Sequence, residues 1–382
     1  MEKAPFYPRV LSLPNLLKGG NHFLFGPRST GKSFLIRLQL PNAKVYDLLD
    51  SDVFTRLARR PRTLGEELAE HKGLVVLDEI QKLPALLDEV HRLIESRGLR
   101  FLMTGSSARK LRHGGVNLLG GRAREAHLFP LCSREIPGFD LITYLNRGGI
   151  PRIHAGRDFR EGLHGYANLY LSQEVVAEAL TRKVEQFARF LDVAAIQCGE
   201  ELNYEGIAGD CGVPARTVRN YVAILEDTLV GFEVPAFRAT RRRKAISRSK
   251  FFFFDIGVVN ALSRRGEIKP RSELFGKCFE HFLFLELRAY LSYRRKRIPL
   301  QYWRSTSGFE VDCVLGDRLA LEFKSSDEVS GRHLRGLKAL REEGKVKDYA
   351  VVSLVPESRR MEGIKIYPWR KFLDALWGDE LI

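Results

Sequence analysis

The sequence is short of cysteine, of long apolar runs and of acid. Five cysteines, at positions 132, 198, 211, 278 and 313, are scattered over 382 residues, with no C-x-x-C pair and no His/Cys group at zinc spacing. This excludes a disulfide framework and a zinc module, and a reducing cytoplasm, cytosol or nucleoid, is the expected compartment. No apolar run approaches the ~18 residues of a membrane helix, so no membrane association is expected. Met1 to Pro5 lacks the charged-then-apolar opening of a secretory signal. No N-K-x-D occurs, so nothing argues for guanine recognition. Acid is outnumbered: 47 Asp and Glu stand against 62 Lys and Arg, for a net charge of +15. A strongly basic chain favours polyanionic partners. Arg exceeds Lys 43 to 19, a bias that a GC-rich genome also produces. That bias accounts for the choice of cation, not for the excess of cations over acids.

What is present is enough for two or three domains with real cores, since 44% of the residues are hydrophobic. The organising stretch is Gly26-Pro27-Arg28-Ser29-Thr30-Gly31-Lys32-Ser33, which fits G-x-x-x-x-G-K-[ST]. Glycines let the backbone curl so that successive N–H groups face a phosphate, and the following helix adds its positive end. Lys32 is placed to reach the β- and γ-phosphates, and the Ser33 hydroxyl to ligate Mg²⁺. Asn21 to Phe25 reads as a buried strand before the loop, and Phe34 to Leu38 as the helix after it.

Leu74-Val75-Val76-Leu77-Asp78-Glu79 reads as a strand buried on both faces with two carboxylates at its exit, where ligands of parallel sheets bind. Asp78 is expected to hold Mg²⁺ and Glu79 to orient and deprotonate the attacking water. Leu99 to Ser107 is a further buried strand, and its Thr104 or Ser106 is a candidate γ-phosphate sensor. Arg122 and Arg124, after Gly120-Gly121, are candidate arginine fingers on a neighbouring subunit's nucleotide. Arg9, in the Pro- and Leu-rich lead-in over the site, is a candidate contact to it, with a surface arginine the expected reading.

The runs GPRSTGKS, LDEIQKLP, TGSSARKL, LLGGRA, LFPLCSREI and the GGIP of residues 148–151 together resemble a prokaryotic AAA-type ATPase family. That family usually carries an uncharacterised C-terminal domain similar to a PD-(D/E)XK nuclease. The resemblance covers most of the chain. It implies ATP rather than GTP, and a homo-oligomeric AAA-type ring, for which a hexamer is one size.

Residues 161–197 read as helical, Tyr166 to Ala179 and then Val184 to Gln197, and serve as lid and linker. Residues 203–237 have helix-turn-helix logic. Tyr204 to Cys211 is a short helix, Gly212-Val213 turns, and Pro214 opens the next. In that second helix Val218, Tyr221, Val222 and Leu225 form the buried stripe. Arg216, Arg219, Asn220 and Ala223 share the opposite face, which a recognition helix presents to a groove. Leu229 to Phe237 is expected to be a wing hairpin. Seven of residues 238–250 are Lys or Arg and none is acidic. Arg241, Arg242, Arg243 and Lys244 are the candidate phosphate contacts. Residues 238–304 hold 18 bases and 5 acids, so most of the net charge sits here.

Phe251 to Asp255 reads as a buried strand of the C-terminal domain, followed by a helix over residues 274–291. Phe309 to Leu315 and Leu319 to Phe323 form a hairpin that contains D-x₉-E-x-K: Asp312, Glu322 and Lys324. Two carboxylates and a lysine are the groups that metal-assisted phosphodiester cleavage uses. Asp312 shares the face of Glu322 and Lys324 only if the loop is Gly316-Asp317-Arg318 or carries a bulge. The resemblance to the PD-(D/E)XK fold adds Glu280 as the helix carboxylate.

The expected fold is α/β: a P-loop AAA-type parallel-sheet ATPase domain (1–155), a helical lid (156–200), a winged-helix middle domain (201–245) and a restriction-endonuclease-like domain (246–382). The expected function is a Mg²⁺-dependent ATPase that binds DNA and remodels or moves along it, branched DNA included. An ATP-gated nuclease and a nucleotide switch that binds a protein partner are the alternatives.

Overall fold

The computed structural model describes residues 6–107, 119–167 and 184–382. Its first sheet grows around the apolar strand that precedes the glycine-rich loop. α1 (Leu13–Leu17) leads into β1 (Asn21–Phe25). Then follow α2 (Lys32–Gln39), β2 (Lys44–Asp47), α3 (Ser51–Arg59), α4 (Thr63–Glu67), β3 (Leu74–Asp78), α5 (Leu86–Arg97), β4 (Arg100–Gly105) and β5 (Ala123–His127). The five strands lie in the order β2-β3-β4-β1-β5, and all pairs are parallel. Alternate residues feed two separate cores. Phe23, Phe25, Val75 and Leu77 enter one, and Leu24, Val76 and Leu102 the other. Burial on both faces is why these strands are continuous apolar runs rather than alternating ones.

The middle of the chain is helical: α6 (Leu141–Arg147), α7 (Pro151–His154), α8 (Phe159–Gly165), α9 (Val184–Ile196), α10 (Tyr204–Cys211) and α11 (Ala215–Asp227). The expected helix from Tyr166 falls mostly outside the described residues. Asn203 caps α10 and Gly212 (φ +64°) ends it in the left-handed turn that favours glycine. The expected stripe of α11, Val218, Tyr221, Val222 and Leu225, is buried, and Tyr221 meets Phe187 of α9 edge-on at 4.9 Å.

One expectation is corrected here. Residues 229–237 do not form a hairpin. They supply one strand, β6 (Gly231–Val234), whose antiparallel partner is β7 (Lys250–Phe253). The apolar run at 251–254, expected in the C-terminal domain, therefore pairs with the helix-turn-helix region, and residues 235–249 connect the two strands. Ring packing selects this pairing: Phe252 lies 5.7 Å from Phe232 and 4.5 Å from Phe284.

α12 (Ile256–Leu262) and the long α13 (Glu273–Tyr293) precede the second sheet. Its elements are β8 (Leu300–Arg304), β9 (Glu310–Leu315), β10 (Leu319–Lys324), α14 (Arg335–Arg341), β11 (Asp348–Ser353), β12 (Arg359–Met361), β13 (Ile364–Pro368) and α15 (Trp369–Trp377). The strand order is β12-β13-β11-β10-β9-β8. The β9–β10 connection is Gly316 to Arg318, and Leu315 faces Leu319 in register. That three-residue loop puts Asp312 on the face of Glu322 and Lys324.

Two buried polar residues join the parts. Glu286 of α13 accepts from the Ser133 amide at 2.5 Å and from Trp377 Nε1 at 2.8 Å. Asp255 caps α12 through the Val258 amide and accepts the Gly149 amide at 2.6 Å. Burial pushes its carboxyl up to about 6. Gly148 lies against this carboxylate with φ 72° and ψ −171°. Among the described residues, no helix is long and apolar enough to cross a membrane.

Candidate functional site

The carboxyl ends of β1, β4 and β3 lie side by side, because Phe25 pairs with Gly105 and Leu77 with Met103. The glycine-rich loop after β1 therefore opens beside the acids at the end of β3, with the polar tip of β4 between them. Ser29 (φ +61°) and Gly31 (φ +94°) turn the loop, and α2 begins without any side-chain cap. Its first N–H groups are thus left for an anion. A Cβ on Gly26 would collide with the carbonyl of Leu128, so only glycine lets the loop lie this close to the chain after β5.

Lys32 is buried and donates to the carbonyls of Gly26 at 2.6 Å and Pro27 at 3.2 Å. Burial lowers its pKa to about 8, against the opposing pull of Glu79 and Asp78. The Ser33 hydroxyl donates to Asp78 Oδ2 at 2.6 Å. Asp78 and Glu79 are both buried. Glu79 adopts a left-handed backbone (φ +61°), an uncommon conformation for a residue with a side chain. The Thr104 hydroxyl, fully buried, holds both acids: it donates to Asp78 Oδ1 and accepts the Glu79 amide at 3.2 Å. With its hydroxyl engaged on both sides, Thr104 positions the carboxylates. Ser106 accepts from Gln81 Nε2 at 3.0 Å, and the same nitrogen donates to Glu79 Oε2.

One site residue, Gln81, was not singled out from the sequence; its place two residues after Glu79 was the available signal. Arg9 is corrected from a surface residue to a buried one. It donates to the Thr30 carbonyl of the loop at 2.7 Å, pairs with Glu135 at 3.0 Å and reaches Tyr293 at the end of α13 at 3.3 Å. The lead-in segment so ties the loop to the C-terminal part. Beside the loop lies a cavity of about 740 Å³, lined by Phe6, Tyr7, Phe34, Leu131, Pro151 and Arg152 among others. It is apolar with a few cations at its border, a character suited to a flat base.

Arg122 and Arg124 do not reach this site within the chain. Arg124 pairs in register with His22, at the start of β1, about 10 Å along the strand from the loop. Arg122 is held by Glu95.

On α11, Arg216, Arg219 and Asn220 are exposed, although Arg219 lies over the Tyr204 ring at 5.1 Å. In the basic connection, Glu343 accepts the amides of Arg241, Arg242 and Arg243 at 2.8, 2.8 and 3.1 Å. This shapes a turn whose Arg241, Arg242 and Lys244 side chains face solvent. Arg243 is a correction. Its guanidinium pairs with Glu342 at 2.5 Å and lies over the Phe309 ring, so it is not available to a phosphate.

The four C-terminal residues do come together. Lys324 Nζ lies 2.7 Å from Glu322 and 3.9 Å from Asp312, and Asp312 accepts the Phe323 amide at 2.7 Å. Glu280 pairs with Lys250 at 3.1 Å. Burial pushes Glu280 up to about 7 and Glu322 up to about 8. Among the described residues, no group of three or more His, Cys, Asp or Glu side chains is arranged to hold a metal ion.

Compared with known families, residues 20–137 match the AAA domain. Residues 138–269 match a domain of unknown function (DUF8612), and residues 275–372 match another (DUF4143). The chain is 22% identical to an uncharacterized protein of Methanocaldococcus jannaschii, over 92% of this chain and 84% of that protein. The N-terminal part is thus similar to AAA-type ATPase domains, which points to nucleotide binding. The matches to the rest carry no activity, and none supports a nuclease-like fold.

Proposed function

We propose that the chain is a Mg²⁺-dependent ATPase that acts on DNA. The observation that carries the first half is the convergence of Lys32, the Ser33–Asp78 pair and Glu79 around one loop with free helix N–H groups. A hydroxyl bonded to a carboxylate is the donor set that Mg²⁺ takes beside a triphosphate, so Ser33 and Asp78 fit the ion. When bound, it offsets charge on the β- and γ-oxygens. The chain's own groups do the rest. Loop amides and the start of α2 bind phosphate. Lys32 exchanges the Gly26 and Pro27 carbonyls for phosphate oxygens. Glu79, aimed by Gln81 and anchored through Thr104, orients the attacking water and accepts its proton. The cavity between Phe6, Phe34 and Pro151 takes the adenine. Arg122 or Arg124 acts across a subunit boundary of a homo-oligomer.

The DNA half rests on the exposed Arg216, Arg219 and Asn220 of α11, taken as the recognition helix of a winged-helix unit with β6 and β7. Arg241, Arg242 and Lys244 add phosphate contacts. Duplex binding followed by fluorescence anisotropy from 50 to about 300 mM salt tests this. The expected result is a steep loss of affinity with salt, and a log–log slope shallower by roughly 2 in the Arg216→Ala, Arg219→Ala double variant. Affinity indifferent to salt or to both arginines would contradict it.

A further inference from the structure

The carboxylates of the second sheet already have a cation, and it does not belong to the D-x₉-E-x-K pattern. Lys250 is the first residue of β7, which pairs with the helix-turn-helix region, yet its side chain crosses into the second sheet. It is buried, and its ammonium lies 3.1 Å from Glu280 and 3.0 Å from Glu310. The Tyr302 ring lies 5.3 Å away on another side. Glu310 also faces Arg304, at 3.8 Å.

The donor set does not fit a divalent ion. Mg²⁺ and Mn²⁺ bind through one or two carboxylates with water completing the shell, and here an ammonium occupies the point between Glu280 and Glu310 that such an ion would take. Here one oxygen of Glu280 and one of Glu310 face Lys250, one of Glu322 faces Lys324, and one of Asp312 holds the Phe323 amide. Glu322 Oε2 is buried with no hydrogen-bond partner. The group is therefore not saturated: this oxygen, on the face of the sheet that also carries Asp312, is unpaired.

We infer that Lys250 is the resident cation of this carboxylate cluster and keeps divalent metal out of it, so that the C-terminal sheet grips rather than cuts. The same contact anchors the far end of the basic connection 235–249, whose near part is held by Glu343. On the reading that this connection contacts DNA, Glu280 and Glu310 fix its far end through Lys250 and Glu343 fixes its near part. Removing the ammonium leaves buried negative charge that a proton or a divalent ion must compensate, and metal supplied in excess competes with the proton for it.

The test uses the full chain with Asp78→Asn, so that the nucleotide site contributes no metal. The probe is Mn²⁺ alone, with the free ion followed by electron paramagnetic resonance. The parent is expected to show no uptake that Glu322→Gln removes, and no Mn²⁺-dependent cleavage of duplex DNA. Lys250→Met keeps the apolar stem and is expected to take up a single Mn²⁺ that a further Glu322→Gln abolishes. Near-ultraviolet circular dichroism identifies a variant that has not folded, in which case Lys250→Gln, with the same readout, replaces it. Mn²⁺ uptake by the parent that depends on Glu322, cleavage that depends on Lys324, or a folded Lys250 variant that takes up no metal would each overturn the inference.

Discussion

Replacement of Lys32 by Ala is expected to lower ATP turnover by at least about 100-fold, the scale of losing one donor aimed at developing charge. The geometry makes the loss specific. Among the described residues the Lys32 ammonium donates to two loop carbonyls, of Gly26 and Pro27. Burial lowers its pKa to about 8, so the charged form is held at a cost. A triphosphate supplies the missing counter-charge, and the ammonium then contributes to binding and to hydrolysis. Removing it should leave the thermal midpoint unchanged or slightly higher, because a desolvated cation is gone. Turnover near the parent's, measured by phosphate release, would mean that this loop is not the hydrolytic site. A large drop in midpoint would mean that Lys32 is a structural residue.

The second large effect is on stability, at Gly148. Its backbone, φ 72° and ψ −171°, lies in a region essentially reserved for glycine. A Cβ there would sit 2.7 Å from one oxygen of Asp255 and nearer still to the other. Asp255 cannot withdraw without releasing the Gly149 amide and the first turn of α12. Strain and lost capping together put Gly148→Ala at about 3 kcal/mol or more. In a chain of this size that lowers the thermal midpoint by roughly 4 °C or more. The readout is a thermal melt of the variant beside the parent. An unchanged midpoint would show that the joint between the end of α6 and α12 is softer than this packing indicates.

The candidate nucleotide site could be read from the sequence because its signals are local. A loop of fixed spacing between a strand and a helix, and two acids ending an apolar strand, report on backbone geometry within a few residues. The β9–β10 loop was legible for the same reason: a period of two and a demand for one face left only an odd loop or a bulge. What escaped depends on contacts between distant residues. Lys250 reads as one more base in a basic run, and only the second sheet gives it Glu280 and Glu310 as partners. Arg9 and Arg243 likewise read as surface cations until Glu135 and Glu342 arrive beside them. The run at 251–254 marks a buried strand but not its partner, which is chosen by Phe232 and Phe284 stacking on Phe252. Gly148 was visible within a motif, but its reason is Asp255, more than a hundred residues away.

The most direct test of the account is steady-state ATP hydrolysis by the full chain, with and without Mg²⁺, beside Glu79→Gln, with nucleotide affinity measured in parallel. The account predicts Mg²⁺-dependent turnover in the parent. In the variant it predicts a loss of about 10²-fold or more with nucleotide still bound, since Glu79 acts on the water and not on the phosphates. Turnover that ignores Mg²⁺, or that survives the loss of the Glu79 carboxylate, would contradict it.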